Sequence, residues 1–278
     1  MKRSAILEDL SHRTPGGIED AAIAGLALRG VGKVDETLLR AQSSAGKWAA
    51  VPNGPPNTYL TALSLLALRH SREPQELRAC ARSLQWLQGC YPVECHWLWK
   101  WKFRLVDRQV RFDPSKYGWP WVPGTVSWVA PTALTIVALR TSEIESSRIQ
   151  IAEEMLLDRA CPAAGWNAGN SSVFGVNLDP HPDFTAMALL ALAGGPHVQS
   201  PIISSAAEYL SKRLETCQSA YSLAWGSLAF AALGDARATK YRRRLERMDA
   251  RGTWPPRTLG LVALALEDPT FTFKEFAK

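Results

Sequence analysis

No stretch of this 278-residue chain approaches the ~20 consecutive apolar residues that a bilayer-spanning helix needs. The N-terminal MKRSAILEDLSHRTPGG carries basic residues but no apolar core, so it does not read as a secretory signal. Cysteines are few: Cys80, Cys90, Cys95, Cys161 and Cys217, odd in number and irregular in spacing. That pattern argues against a disulfide framework and for reduced thiols in a cytoplasmic protein. Cys90, Cys95 and His96 lie close together, but no Cys-x-x-Cys pair accompanies them. No metal site and no cofactor are expected. Also lacking are finger and helix-turn-helix signatures and the aromatic–basic interleaving of an RNA-binding sheet, so nucleic acid is not an expected partner.

Hydrophobic residues make up 46% of the chain and charged residues 21%, enough for a sizeable core. Eleven tryptophans are many for this length. Each offers a large ring to bury and one N–H that needs a partner. The net charge of +6 would suit an anionic partner. Much of it sits in RATKYRRRLERMDAR (237–251), however, where it reads as one solvated helix face.

A short phrase recurs along the chain: AAIAGLALRG from Ala21, TALSLLALRH from Thr61, TALTIVALRT from Thr132, TAMALLALAG from Thr185, AWGSLAFAAL from Ala224 and TLGLVALALE from Thr258. Each reads as a helix that is apolar nearly all round and therefore buried on all sides. Amphipathic helices lie between them, beginning near Glu73, Ser142, Ser200 and Asp235. In the first of these, Leu77, Ala81, Leu84 and Leu87 are expected to form the apolar stripe. Pro74 and Pro201 fit first-turn positions. Alternating buried and surface helices close most economically into two concentric rings. The expected fold is an all-α (α/α)6 barrel, a toroid, occupying residues 1–278 as one domain. A linear α-solenoid is the alternative, but its period should be more regular.

The links before the buried helices are rich in Gly, Pro, Asn and Trp, as in QSSAGKWAAVPNGPPN, KYGWPWVPGTVSW, AAGWNAGNSSVFGVN and RGTWPPR. Glycine permits a tight turn. Tryptophan can lie across the helix junction and fix its angle. One insertion breaks the helical rhythm. In CHWLWKWKFRLVDRQVRFDP, Trp97, Trp99, Trp101, Phe103 and Leu105 alternate with Leu98, Lys100, Lys102 and Arg104. That period of two predicts a β-hairpin near 96–113 with an aromatic face and a basic one. It would cover one end of the core, wall a ligand cavity, or rest on a bilayer surface.

QSSAGKW matches the glutamine-x3-glycine-x-tryptophan motif of squalene and oxidosqualene cyclases at Gln42, Gly46 and Trp48. GWNAGNSSVFGVNLDPHPDFTAMALLAL and YGWPWVPGTVSWVAPTALTIVAL resemble the repeats of bacterial terpene-cyclase-like proteins, the prenyltransferase/squalene-oxidase-repeat group. The resemblance runs from about residue 14 onward and implies the barrel. It also implies a class II cyclase site, in which an Asp-x-Asp-Asp-Thr-Ala segment opens an inner helix. In HPDFTA, Asp183 falls on the proton donor, His181 on the first Asp and Phe184 on the third. Asp183 is thus the implied acid and His181 its tuner, with Trp119, Trp121, Trp128, Trp166 and Phe184 as cavity walls. Protonating an alkene needs a neutral carboxylic acid in a dry cavity, and aromatic faces for the resulting cation. Against this, an aspartate at a helix start commonly serves as a cap.

Three readings follow. The first is protonation-initiated cyclisation of an apolar polyisoprenoid inside the barrel. The second is a non-catalytic barrel gripping a lipid or a protein partner. The third is a prenyltransferase-like subunit, although the zinc-holding Asp, Cys and His spacing of that group is not found. Partners expected on this basis are an isoprenoid or other lipid, a second barrel or partner protein, and peripheral contact with the inner face of a membrane.

Overall fold

The polypeptide winds into two concentric rings of helices. The computed structural model describes residues 2–29, 32–105, 112–248 and 254–267, with thirteen α-helices and one two-stranded hairpin among them. The inner ring is α2 (Ile18–Leu28), α4 (Thr58–Leu68), α7 (Val129–Thr141), α9 (Pro182–Ala193), α11 (Ala220–Ala232) and α13 (Pro256–Ala265). Each packs against the next, and α13 packs back onto α2, so the ring is closed. An open solenoid is thereby excluded. The outer ring is α1 (Arg3–His12), α3 (Gly32–Ala41), α5 (Pro74–Gly89), α8 (Ser147–Asp158), α10 (Pro201–Thr216) and α12 (Arg237–Arg247).

The six recurring phrases are the six inner helices. All of α4 is buried, as are the first eleven residues of α7. Outer helices bury only a stripe: in α12 it is Ala238, Tyr241 and Leu245. Three of the basic residues of α12 are spent on neighbouring elements. Arg237 pairs with Asp235 and Glu208, Lys240 with Glu215, and Arg244 donates to the carbonyls that end α10. The buried stripe of α5 differs from the expected one. It is Glu76, Ala79, Ser83 and Leu87, while Leu77 is exposed. The face is turned because the Gln42 amide donates to Ala79 O and Ser83 Oγ, which holds a polar edge of α5 against α3.

Tryptophans fasten the rings together by one repeated device. The indole N–H of Trp48 donates to Leu38 O, that of Trp119 to Leu87 O and that of Trp166 to Leu156 O, each near the end of the preceding outer helix. The backbone N–H of the same three tryptophans donates to Thr61, Thr132 and Thr185 Oγ1 on the following inner helices. Each tryptophan therefore joins the end of an outer helix to the first turn of the next inner helix. The third link is longer because it contains the hairpin of β1 (Ser172–Val173) and β2 (Val176–Asn177). Phe174 and Gly175 turn it with positive φ of 53° and 78°.

The hairpin expected near 96–113 is not formed by its first half. Residues Trp97–Leu105 are a helix, α6, in the link between α5 and α7, and 106–111 lie outside the described residues. The segment has no β-branched residue to favour a strand. The His96 imidazole accepts the Leu98 amide at the helix start. Phe103 packs between Trp99 and Phe112, at 5.9 and 4.9 Å between ring centres.

Candidate functional site

All six inner helices direct their N-termini to one end of the ring. There they surround an axial cavity of 580 Å³, within the usual range for small-molecule sites. Every inner helix contributes to its lining: Ile18, Glu19 and Asp20 from α2, Tyr59 and Leu60 from α4, Ala130 from α7, Asp183, Phe184 and Met187 from α9, Tyr221 from α11 and Arg257 from α13. Gly16, Gly17, Ala50, Asn57 and Trp121 complete it from the links. The other half of the axis is filled by apolar side chains such as Leu63, Leu134, Trp225 and Leu261, which leave only 40 Å³ between them. The hollow therefore has a hydrophobic floor and, among the described residues, polar side chains around its mouth.

Asp183 is the second residue of α9, and it is not the cap. His181 is the N-cap, its Nδ1 accepting the Asp183 amide at 3.3 Å. His181 is itself held by its amide, which donates to Trp166 O at 2.7 Å, and Pro182 opens the helix. The Asp183 carboxyl is thus left to the cavity. Its Oδ2 is 3.8 Å from His181 Nδ1, and its Oδ1 is buried with no hydrogen-bond partner. The His181 side chain is 56% exposed and that of Asp183 only 19%, so the imidazole faces solvent and the carboxyl faces inward. The Phe184 ring lies 5.6 Å from the imidazole.

Of the five aromatic residues expected as walls, Trp121 and Phe184 line the cavity. Trp119 and Trp166 do not: both are fully buried between the rings as the fasteners described above. Trp128 is the N-terminal flanking residue of α7 and lies outside the lining. The wall also contains groups the sequence reading passed over. Tyr59 stacks obliquely on Trp121 at 5.1 Å and donates its hydroxyl to Glu19 at 3.0 Å. Burial pushes the Tyr59 phenol well up from its usual range, with Tyr221 and Glu19 adding to it. Tyr221 is pushed up to about 12, by burial first and by Glu19 second. Both phenols remain neutral donors at ordinary pH. Asp20 has a structural duty: it accepts the Gly16 amide at 3.0 Å and the Arg257 amide and guanidinium at 3.2 and 3.3 Å. It thereby ties the first inner helix to the last. The signal for Glu19 was present in the sequence, since it is the second residue of its helix, as Asp183 is of α9.

No protein-family model matches the sequence, and no curated protein matches it significantly. Solved structures do match in fold. The type II terpene cyclase MstE from Scytonema, in complex with geranylgeranyl dihydroxybenzoate as substrate, superposes with a TM-score of 0.59 at 14% identity, covering 95% of this chain and 94% of that one. The same enzyme in complex with its product, merosterolic acid A, gives 0.56 at 16% identity over the same shares. A protein from Actinoplanes gives 0.54 at 15% identity over the whole of both chains. The closed double ring with its axial hollow is a terpene cyclase-like fold.

Proposed function

We propose that this chain is an isoprenoid-converting protein of the class II terpene cyclase type, with Asp183 as the acid that starts the reaction. The observation that carries the proposal is the Asp183 carboxyl, an inward-facing group with a buried, unpartnered Oδ1 in the wall of the axial cavity. A carboxyl spent on helix capping would have its oxygens on backbone amides, whereas here His181 does the capping.

In its neutral form the carboxyl gives its proton to one carbon of a substrate double bond. The π pair forms the new C–H bond and the adjacent carbon becomes cationic. A neighbouring double bond then supplies the electron pair for ring closure. Trp121 and Phe184 present ring faces to such a cation, each worth about 2 kcal/mol or more when water is excluded. The apolar floor suits the polyisoprenyl part of the substrate. The reaction ends when a carbon next to the final cation loses its proton. Glu19, across the ring from Asp183 on α2 and hydrogen-bonded by Tyr59, is the proposed acceptor. The polar mouth, with Asn57 and Arg257, suits a substrate that has a polar head on a polyisoprenyl chain, the kind of molecule bound by the Scytonema enzyme.

The test is product analysis by mass spectrometry after incubation with squalene and with free and aryl-linked geranylgeranyl substrates. Wild type should give cyclised products and Asp183→Asn none, with both proteins melting alike. Cyclisation that persists in Asp183→Asn would remove the assignment. Tight binding without turnover by either protein would favour the non-catalytic lipid-binding barrel instead.

A further inference from the structure

A second hollow opens beside the axial one. It has a volume of 720 Å³ and lies between the α1–α2 link and the α3–α4 link, against the end of α3. Gly16, Gly17, Ile18 and Ala50 stand in the walls of both hollows, so the two adjoin at the mouth. At Gly17 the partition carries no side chain. Its backbone is extended, with φ 177°, and apart from its chain neighbours no atom lies within 4 Å of where a Cβ would stand. The outer wall is tied by its own backbone. Ala49 and Pro56 form an antiparallel bridge, the Asn57 amide donates to Trp48 O at 2.8 Å, and the Gly54 amide closes a turn on Val51 O at 3.0 Å. The side cleft is therefore preformed, as small-molecule sites usually are.

Charge divides the two hollows. Among the described residues, the axial lining holds three carboxyls, Glu19, Asp20 and Asp183, against one cation, Arg257, whose guanidinium is already on Asp20 at 3.3 Å. The side cleft holds two cations, Arg40 and Lys47, and no carboxyl. Arg40 is paired with Glu36, one turn back on α3, at 2.9 Å, whereas Lys47 forms no ion pair among the described residues. The rest of the cleft wall includes the apolar faces of Ile18, Val51, Pro52 and Pro56, and Val51 stands 60% exposed.

We propose that this side cleft is a head-group subsite, which takes an anionic aromatic head while the polyisoprenyl chain attached to it occupies the axial cavity. The inference rests on the reading of the axial cavity as the isoprenoid site, and adds the place, charge and shape of the head. A flat ring covers the isoleucine, valine and proline faces, and a carboxylate on that ring reaches the Lys47 ammonium for a charge-assisted hydrogen bond. A bare phosphate head would use the cations but leave the apolar wall uncovered. A neutral head would cover the wall and leave Lys47 unpaired. The same carboxylate in the axial cavity would face three others.

The experiment is titration calorimetry of the full chain with three ligands: a geranylgeranyl-substituted benzoate, its methyl ester and geranylgeraniol. Wild type should bind the carboxylate about tenfold more tightly than the ester, and high salt should narrow the difference. Lys47→Glu should reverse that order while keeping the wild-type melting curve. Gly17→Leu sets a side chain into the open space at the partition. It should weaken both aryl ligands about tenfold and leave geranylgeraniol, which has no ring to place, nearly as tight. The subsite is overturned if wild type binds carboxylate and ester alike, if Lys47→Glu keeps the preference, if Gly17→Leu weakens all three ligands equally, or if none of the three binds. Binding is read without turnover, so the two readings fail separately. Ligands that bind in the expected order but are never cyclised would remove the reaction and leave the subsite. Cyclisation of carboxylate and ester bound with equal affinity would remove the subsite alone.

Discussion

The His181 Nδ1 accepts the Asp183 amide at 3.3 Å while standing 3.8 Å from the Oδ2 of the same residue. A nitrogen that accepts the amide has its lone pair committed, so in this state it cannot also donate to the carboxylate. One imidazole thus holds the start of α9, and one carboxyl is released to the cavity. His181→Asn keeps a capping acceptor and should leave the melting temperature within about 2 °C. His181→Ala loses the cap and should cost about 1 kcal/mol in chemical denaturation. In both variants, cyclisation should track stability. A loss of turnover in the Asn variant, with melting unchanged, would instead give the imidazole a part in proton transfer.

Trp119 and Trp121 are two residues apart and have different duties. Trp119 is fully buried with its indole N–H on Leu87 O and the Arg148 guanidinium 4.1 Å from its ring. Trp121 lines the cavity beside Tyr59. Trp119→Ala should destabilise the protein by about 3–5 kcal/mol, as expected for truncating a buried aromatic. Trp121→Ala should cost about 1–2 kcal/mol and weaken isoprenoid binding about tenfold. Denaturation midpoints and competition against a fluorescent lipid would separate the two. Equal destabilisation by both would mean that Trp121 is also a fastener.

The rings were legible in the sequence because a helix with no polar side can only be buried, and six of them alternating with amphipathic helices leave few arrangements. Gln42, Gly46 and Trp48 marked a fastening that the structure repeats at Trp119 and Trp166. Their threonine partners Thr61, Thr132 and Thr185 escaped notice, since each contact joins residues 13 or 19 positions apart. α6 was misread because three tryptophans at alternate positions imitate a strand, whereas the helix separates them onto two sides. At the site, Asp183 and Phe184 could be found from their position at a helix start. Glu19, Tyr59, Tyr221 and Arg257 come from other helices and meet only when the ring closes. Trp119, Trp128 and Trp166 show the converse: a tryptophan next to an inner helix has no direction until the backbone supplies one.

Gly46 offers a stability test of the fastening itself. Its φ is +81°, and a Cβ there would lie 2.5 Å from the carbonyl carbon of Arg82. Gly124 has nearly the same backbone, φ +80°, but open space around it. Gly124→Ala should therefore cost only the left-handed penalty of about 1–2 kcal/mol. Gly46→Ala should add the displacement of a neighbouring backbone and reach about 3 kcal/mol or more. Urea denaturation of the pair measures the difference. Equal losses would show that α3 and α5 are free to separate locally.

Asp35 on α3 and Glu76 on α5 bury two carboxyls with unpartnered oxygens, Asp35 Oδ1 and Glu76 Oε2. Burial first, and the Glu76 charge second, push the Asp35 carboxyl up to about 6. The thiol of Cys80 is pushed up to about 12 by burial and by the same Glu76. An unfolded aspartate titrates near 3.9. Between about pH 4 and pH 6 the folded protein therefore holds a proton that the unfolded chain has released. Stability from this site is greatest below that window, falls as pH rises through it, and is level above it. Asp35→Asn carries no charge to bury. The variant should melt above wild type from about pH 6 upward, and its advantage should shrink to nothing as pH falls toward about 4. Melting curves of both proteins across that range are the measurement. A constant difference at every pH would mean that Asp35 titrates alike in the folded and the unfolded chain.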